Sequence, residues 1–296
     1  MESVKYENSN IKPKLPNKRK NSSRKLIRYF LLYSLLLLIA FLVLSPVIWI
    51  VGSSFNPGTS IFSSTLIPKN PTVKHYIKLF TETDYPIWFM NTLKIATINM
   101  IVSLVITTLS AFAFSRFRFR GRKQGMMVIL ILQMFPSILA MTAIYALLTK
   151  LNLINTHMGL IIVYATGQIP FNTWLVKGYL DAIPRSLDEA AKIDGATNLA
   201  ILTKIILPLA KPILVFVALQ NFIGPWFDFI FPQLILRSAD KKTLAMGLFA
   251  WIAERQQNHY TLFAAGAILV AVPITILYTY FQKHIVEGLS AGATKG

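Results

Sequence analysis

One carboxylate, Asp228, stands inside the apolar run from Pro212 to Leu236, and no other apolar run of the chain contains an acid. A charge at the middle of a bilayer costs about 2.5–3.5 kcal/mol on insertion scales, so a residue of this kind is normally kept for a function. Gly224-Pro225 and Pro232 flank it, and they should break the helix there and free backbone amides. Asp228 could therefore serve a solute pathway, cap freed amides, or pair with a partner chain. Gln220 and Asn221, a turn or more earlier, could face the same pathway or bond to neighbouring helices. The four histidines, His75, His157, His259 and His284, are far apart, and no pair has metal-ligand spacing. Paired intramembrane carboxylates, a nucleophile elbow and a Gly-rich phosphate loop are all missing from the sequence. The expected chemistry is the passage of a solute rather than its conversion. No metal or cofactor is expected on this chain, and its energy must come from a separate subunit.

A second group of residues lies in the polar segment after Val176. It reads Pro184-Arg-Ser-Leu-Asp-Glu-Ala-Ala-Lys-Ile-Asp-Gly-Ala-Thr197. Ser186 with Glu189 three residues on fits a capping box. Asp188 and Glu189 place negative charge on the first turn, where the helix dipole favours it. Gly195 suits the position just past the helix end. The spacing predicts a short helix over Leu187 to Asp194, followed by another over Asn198 to Leu207 that stops near Pro208. A helix that short is marginal alone in water and must dock on something. Ala190 and Ala191 give it a thin waist for close approach.

The elements that position these residues follow from composition. The 296 residues are 54% hydrophobic and only 14% charged, against roughly 25% charged in soluble domains. Lipid must replace the missing water-facing surface. Six runs approach the roughly 20 apolar residues that a membrane helix needs. They are Tyr29–Val51, Trp88–Ser115, Gln124–Leu148, Gly159–Val176, Pro212–Leu236 and Leu262–Gln282. The fold expected is all-α and polytopic, with both termini on one side. Lys and Arg outside the runs number 21 on the side of the N-terminus and eight on the other, which predicts N-in and C-in. With nine Lys/Arg, the segment Lys5–Arg28 reads as a poorly ordered basic tail rather than a cleavable signal. Arg116-Phe-Arg-Phe-Arg120, with Arg122 and Lys123, alternates base and ring. Directly after a span it reads as an anchor to anionic membrane lipid rather than a nucleic-acid patch. Gly52–Ile87 reads as an extracytoplasmic loop with turns at Asn56-Pro57-Gly58 and Asn70-Pro71.

The segment Glu189-Ala190-Ala191, three residues, Gly195, nine residues, then Ile205, any residue, Leu207 and Pro208 resembles the EAA loop of binding-protein-dependent ABC permeases at every position. The resemblance extends over Trp88 to Gln282. Phe222–Pro232 is similar to the fifth-span segment of sugar permeases, and Gly288–Gly296 to the tail of G-type subunits of maltose/maltodextrin importers. The resemblance implies a permease subunit in the cell membrane that imports an oligosaccharide, maltodextrin first, by alternating access. Its partners would be a second permease, two cytoplasmic ATPase subunits holding ATP and Mg, and an extracytoplasmic solute-binding protein. The helix carrying Glu189 would be the coupling helix that sits on the ATPase, and the tail from residue 287 would reach the same interface. The loop residues Arg255, Gln256, Gln257 and Asn258 correspond by position to a loop that contacts the binding protein, but differ from that family's residues there. The organisation expected is a tail over 1–28, a first span and loop over 29–87, a permease core over 88–286 and the terminal tail. Alternatives are a permease for another oligosaccharide or solute, and an ion-driven carrier acting alone. The carrier would need more coupling-ion ligands than Asp228 supplies, and an intramembrane enzyme would need clustered catalytic residues.

Overall fold

The structure, a computed structural model, describes residues 18–59, 68–136, 138–253 and 259–293. Arg255, Gln256, Gln257 and Asn258 lie outside the described residues, as does the end of the tail from 294. Among the described residues all regular structure is helical. In order the helices are α1 (Lys18–Ser54), α2 (Lys74–Thr81), α3 (Tyr85–Arg116), α4 (Arg122–Gln133), α5 (Met141–Lys150), α6 (His157–Ala182), α7 (Ser186–Ile193), α8 (Asn198–Ile201), α9 (Leu207–Leu209), α10 (Lys211–Phe227), α11 (Ile230–Ile235), α12 (Leu244–Ala253) and α13 (Tyr260–Ala293). A π-helical turn, Leu202–Ile206, joins α8 to α9.

The chain divides into two compact units, Met1–Ile50 and Val51–Gly296. The first holds most of α1, whose large apolar side chains from Leu26 to Val43 are all exposed. A helix that is apolar all round needs an apolar solvent. Three helical stretches among the described residues are long and apolar enough to cross a membrane: Lys25–Ser54, Tyr85–Arg116 and Tyr260–His284. The run expected as a continuous third span is instead two helices, α4 and α5, separated at 134–140. Pro136 cannot donate a helix hydrogen bond, which accounts for the break. The fifth run breaks between α10 and α11 at Asp228-Phe229, as its Gly and Pro residues predict. α6 spans about 39 Å by its 26 residues, but carries Gln168, Asn172 and Thr173 along its length.

In the second unit α3 packs along α6 and α10, and α10 along α13. Where α3, α6 and α10 meet, polar side chains bond across the helices. Asn99 Nδ2 donates to the Asn221 carbonyl at 2.8 Å and to Gln168 Oε1 at 3.1 Å. Asn172 Nδ2 donates to Asn221 Oδ1 at 3.3 Å, and Asn221 Nδ2 to the Val217 carbonyl at 2.8 Å. Such bonds fix helix register where no water competes.

Two segments read as loops hold helices. Gly52–Ile87 contains α2, and α12 lies within 237–260. α12 is an apolar helix of ten residues, about 15 Å long, too short to span. The approach to α12 is held by Asn155, which sits at φ +58°, a conformation Asn tolerates. Its Oδ1 accepts from the Arg237 and Ser238 amides at 3.0 and 3.1 Å. Thr92 Oγ1 accepts from the Leu244 amide at 2.8 Å.

Candidate functional site

α7 forms over Ser186–Ile193, close to the range predicted. Its start differs: Arg185 occupies the cap position and Ser186 is the first helical residue, with no side-chain cap bond, so the capping box is not made. Its end is a Schellman motif. The Ala196 amide donates to the Ala191 carbonyl at 2.9 Å and the Gly195 amide to Lys192 at 3.0 Å. Gly195 turns the chain at φ +80°, a conformation that L side chains resist. Thr197 then accepts from the Ala200 amide at 3.2 Å and starts the second limb. The limb passes through a π-helical turn at Leu202–Ile206 and ends at Leu209, one residue beyond Pro208, near where the sequence predicts its stop. An 82° bend then leads into α10.

The two limbs of this elbow differ in burial. Ile201, Leu202 and Ile206 of the second limb are buried with Ala111, Phe112, Val176 and Leu180 of α3 and α6. Ile205 and Leu207 are half-buried and Pro208 is exposed. On the first limb Glu189 and Ala190 are exposed, Ala191 is half-buried, and Ile193 is 87% exposed, the largest exposure of any apolar side chain described. Leu199 adds another exposed apolar group at 67%. The Glu189 carboxylate has no partner among the described residues. Glu189 thus stands exposed beside the exposed apolar side chains of Ile193 and Leu199.

Asp188 points the other way. Its carboxylate lies 2.6 Å from Arg116 Nε, with the two side chains only 9% and 5% exposed. Arg116 also donates to the Leu180 carbonyl at 3.0 Å and the Ile183 carbonyl at 3.2 Å. Arg185 donates to the Ser115 carbonyl at 2.8 Å, and Ser115 Oγ to Asp181 Oδ1 at 2.7 Å. Lys177 Nζ also donates to the Asp181 carboxylate, at 2.5 Å. Arg116 is thus part of a clamp on the elbow and not of the lipid-anchoring tract to which its sequence context assigns it. Arg118, Arg120 and Lys123 remain exposed. The clamp joins residues more than 60 positions apart, and their only sequence signal is the acid next to Glu189.

Asp228 caps its own helix break. Its Oδ1 accepts from the Ile230 amide at 2.8 Å and the Phe231 amide at 3.4 Å, while Oδ2 accepts from the Tyr164 hydroxyl at 2.8 Å. It also lines a cavity of about 850 Å³, with Gln133, Phe135, Tyr164, Gln168 and Phe231 among its walls. Both helix breaks, at 134–140 and at 228–229, border this cavity. Gln133 Nε2 donates to the Gly167 carbonyl at 2.8 Å, where α4 faces α6. Gln220 is exposed and lines a different cavity, of about 610 Å³, with Ile274, Thr275 and Tyr278 of α13. Asn221 is fully buried in the helix contact and lines neither. Gln220, Asn221 and Asp228, the three polar residues singled out in the fifth run, are therefore not brought together. Tyr164, Gln133 and Gln168, which the sequence did not single out, share the cavity with Asp228.

The family described as binding-protein-dependent transport system inner membrane component matches residues 103–290, a stretch that contains the elbow, the clamp and both cavities. The galactooligosaccharides transport system permease protein GanQ of Bacillus subtilis is 45% identical over 276 residues, covering 92% of this chain and 98% of that protein. The maltodextrin transport system permease protein MdxG of the same species is 41% identical, covering 93% and 99%. In fold the chain is similar to a solved bacterial ABC transporter involved in the import of the acidic polysaccharide alginate. The TM-score is 0.77 at 24% identity, over 93% of this chain and 100% of that one.

Proposed function

We propose, from the premise that this chain belongs to the family of binding-protein-dependent transport system inner membrane components, that it is one permease subunit of an ATP-driven oligosaccharide importer. The observation that carries this reading is the elbow: a short helix clamped on one face by Arg116–Asp188 and bare on the other, where Glu189, Ala190 and Ile193 await a partner. That partner is a cytoplasmic ATPase subunit, one of two, which hold the ATP and Mg. This chain carries no cofactor. A second permease completes the pathway, and an extracytoplasmic solute-binding protein delivers the sugar. The chain sits in the cell membrane with six spans, N-in and C-in, counting each broken helix pair as one span and α6 as the fourth. Helices broken beside a cavity are where transporters place their binding and gating elements. The 850 Å³ cavity between the two breaks is accordingly this chain's share of the route. The relatives support two cargo chemistries, a galactooligosaccharide and a maltodextrin. The tail from Gly288 favours the second, and the 45% identity to GanQ the first.

Purification of the chain from its native membrane in mild detergent tests this reading. Recovery of a second permease, an ATPase and a solute-binding protein is expected, and titration of that binding protein with both sugars would name the cargo. Recovery of the chain alone, still moving solute in vesicles without ATP, would point to a secondary carrier.

The Asp228 geometry gives a separate prediction. Asp228→Asn keeps an oxygen for the α11 amides, so transport and thermal stability in detergent should stay near wild type. Asp228→Leu leaves the Ile230 and Phe231 amides and the Tyr164 hydroxyl without this acceptor and should cost about 1–3 kcal/mol. Loss of uptake in Asp228→Asn at unchanged stability would instead give the carboxylate charge a part in translocation.

A further inference from the structure

α3 differs from every other long helix described. α1, α6, α10 and α13 each contain an internal proline, at Pro46, Pro170, Pro225 and Pro273. α3 has 32 residues, with its one proline in the first turn and no glycine. Kinks need such residues or an inserted group, and α3 has neither proline nor glycine past its first turn. At its last residue is Arg116, and 17 residues earlier, roughly 25 Å along the axis, is Asn99. Asn99 bonds to Gln168 of α6 and to the Asn221 backbone of α10. Gln168 is a wall of the 850 Å³ cavity. One end of α3 therefore touches the elbow, and its middle bonds to Gln168 in the wall of the cavity.

We propose that the buried Arg116–Asp188 pair is a positioning strut that makes the elbow and α3 move as one body, so that a displacement of the elbow is delivered to the cavity. The elbow needs such a strut. α7 has eight residues and joins the rest of the chain through Pro184-Arg185 on one side and the Gly195 turn on the other. Its exposed face is given over to a partner, which leaves the Asp188 face, beside the Arg185 bond to the Ser115 carbonyl, to transmit the load. Asp188 is held through one oxygen: Oδ1 is buried and has no hydrogen-bond partner, and the 2.6 Å contact of Oδ2 with Arg116 Nε is ionic rather than an aligned hydrogen bond. Among the described residues the carboxylate thus depends on Arg116 alone, and Arg116 depends on the Leu180 and Ile183 carbonyls at the end of α6. A buried pair between two partners tolerates translation of both together far better than separation.

The inference rests on the importer reading, and its test separates the two. The complete complex is reconstituted in vesicles, and sugar uptake and ATP hydrolysis are measured together. Asp188→Asn keeps the shape of the side chain and removes its charge. The expected result is an assembled complex that still hydrolyses ATP while sugar moved per ATP falls tenfold or more. The sequence contains no cysteine, so the double variant Arg116→Cys with Asp188→Cys can be bridged by a short thiol cross-linker. Bridging should restore the ratio, because a covalent link replaces the strut. An unchanged ratio in Asp188→Asn, failure of the complex to assemble, or a bridge that restores nothing would each overturn the strut and leave the importer reading intact. Absence of ATP-driven uptake by the wild-type complex would overturn both.

Discussion

Glu189→Lys should abolish uptake while leaving the chain in the membrane at normal abundance. The carboxylate is exposed and makes no bond to the described residues, so its removal breaks no contact among them. Reversing its sign at the first turn of α7 forfeits only the favourable dipole interaction, about 0.3–1 kcal/mol. At an interface the same change turns attraction into repulsion. Truncating one member of a buried charge pair already costs about 2–5 kcal/mol, so binding of the ATPase should weaken at least about thirtyfold. Uptake assays and co-purification read the two effects separately. Glu189→Gln should fall between, because the amide keeps a hydrogen-bonding oxygen. Uptake at the wild-type rate by Glu189→Lys would remove the elbow from the coupling interface. Lys at Asp188, one residue earlier, should instead fail in assembly, since that side chain lies 91% covered against Arg116. Adjacent acids on one short helix thus have opposite fates, one facing a partner and one facing α3.

The elbow was legible because its signals are local. A helix end at Gly195, acids on a first turn and a thin alanine waist all lie within a dozen residues. The first, second and sixth runs were legible as long apolar helices because lipid demands apolar length. What the sequence left hidden depends on contacts distant along the chain. The break at 134–140 carried its own signal in Pro136, outweighed in the reading by the apolar residues around it. Arg116 stands first in a basic and aromatic tract, and only the fold shows that it turns inward while Arg118 and Arg120 do not. Asn221 and Gln220 are neighbours in sequence, and helix rotation sends one into the α3–α6 contact and the other to a cavity beside α13. α12 was hidden by its length, since ten apolar residues cannot span and so read as loop.

The tightest constraint on folding lies at Gly247, where α12 crosses α3. A methyl group built there would fall inside the ring of Trp88. Trp88 cannot withdraw, because it is buried and stacks against Trp251 with ring centroids 5.2 Å apart. Overpacking a filled site costs about 1–3 kcal/mol and sometimes more, a large share of a typical stability of about 5–15 kcal/mol. Gly247→Ala should therefore lower thermal stability in detergent and cut membrane abundance severalfold. Uptake per folded molecule should stay unchanged, because Gly247 touches neither the elbow nor the 850 Å³ cavity. Gly178→Ala is the matched control. Gly178 lies inside α6 with nothing within 4 Å of an added methyl, so the same substitution should raise stability by about 0.4–1 kcal/mol through the unfolded chain. Opposite signs at the two positions would locate the cost of Gly247→Ala in the Trp88 contact. If both variants lost stability equally, the close approach of α12 to α3 would not be what limits this fold. A fall in uptake per folded molecule for Gly247→Ala alone would mean that α12 must move against α3 during transport.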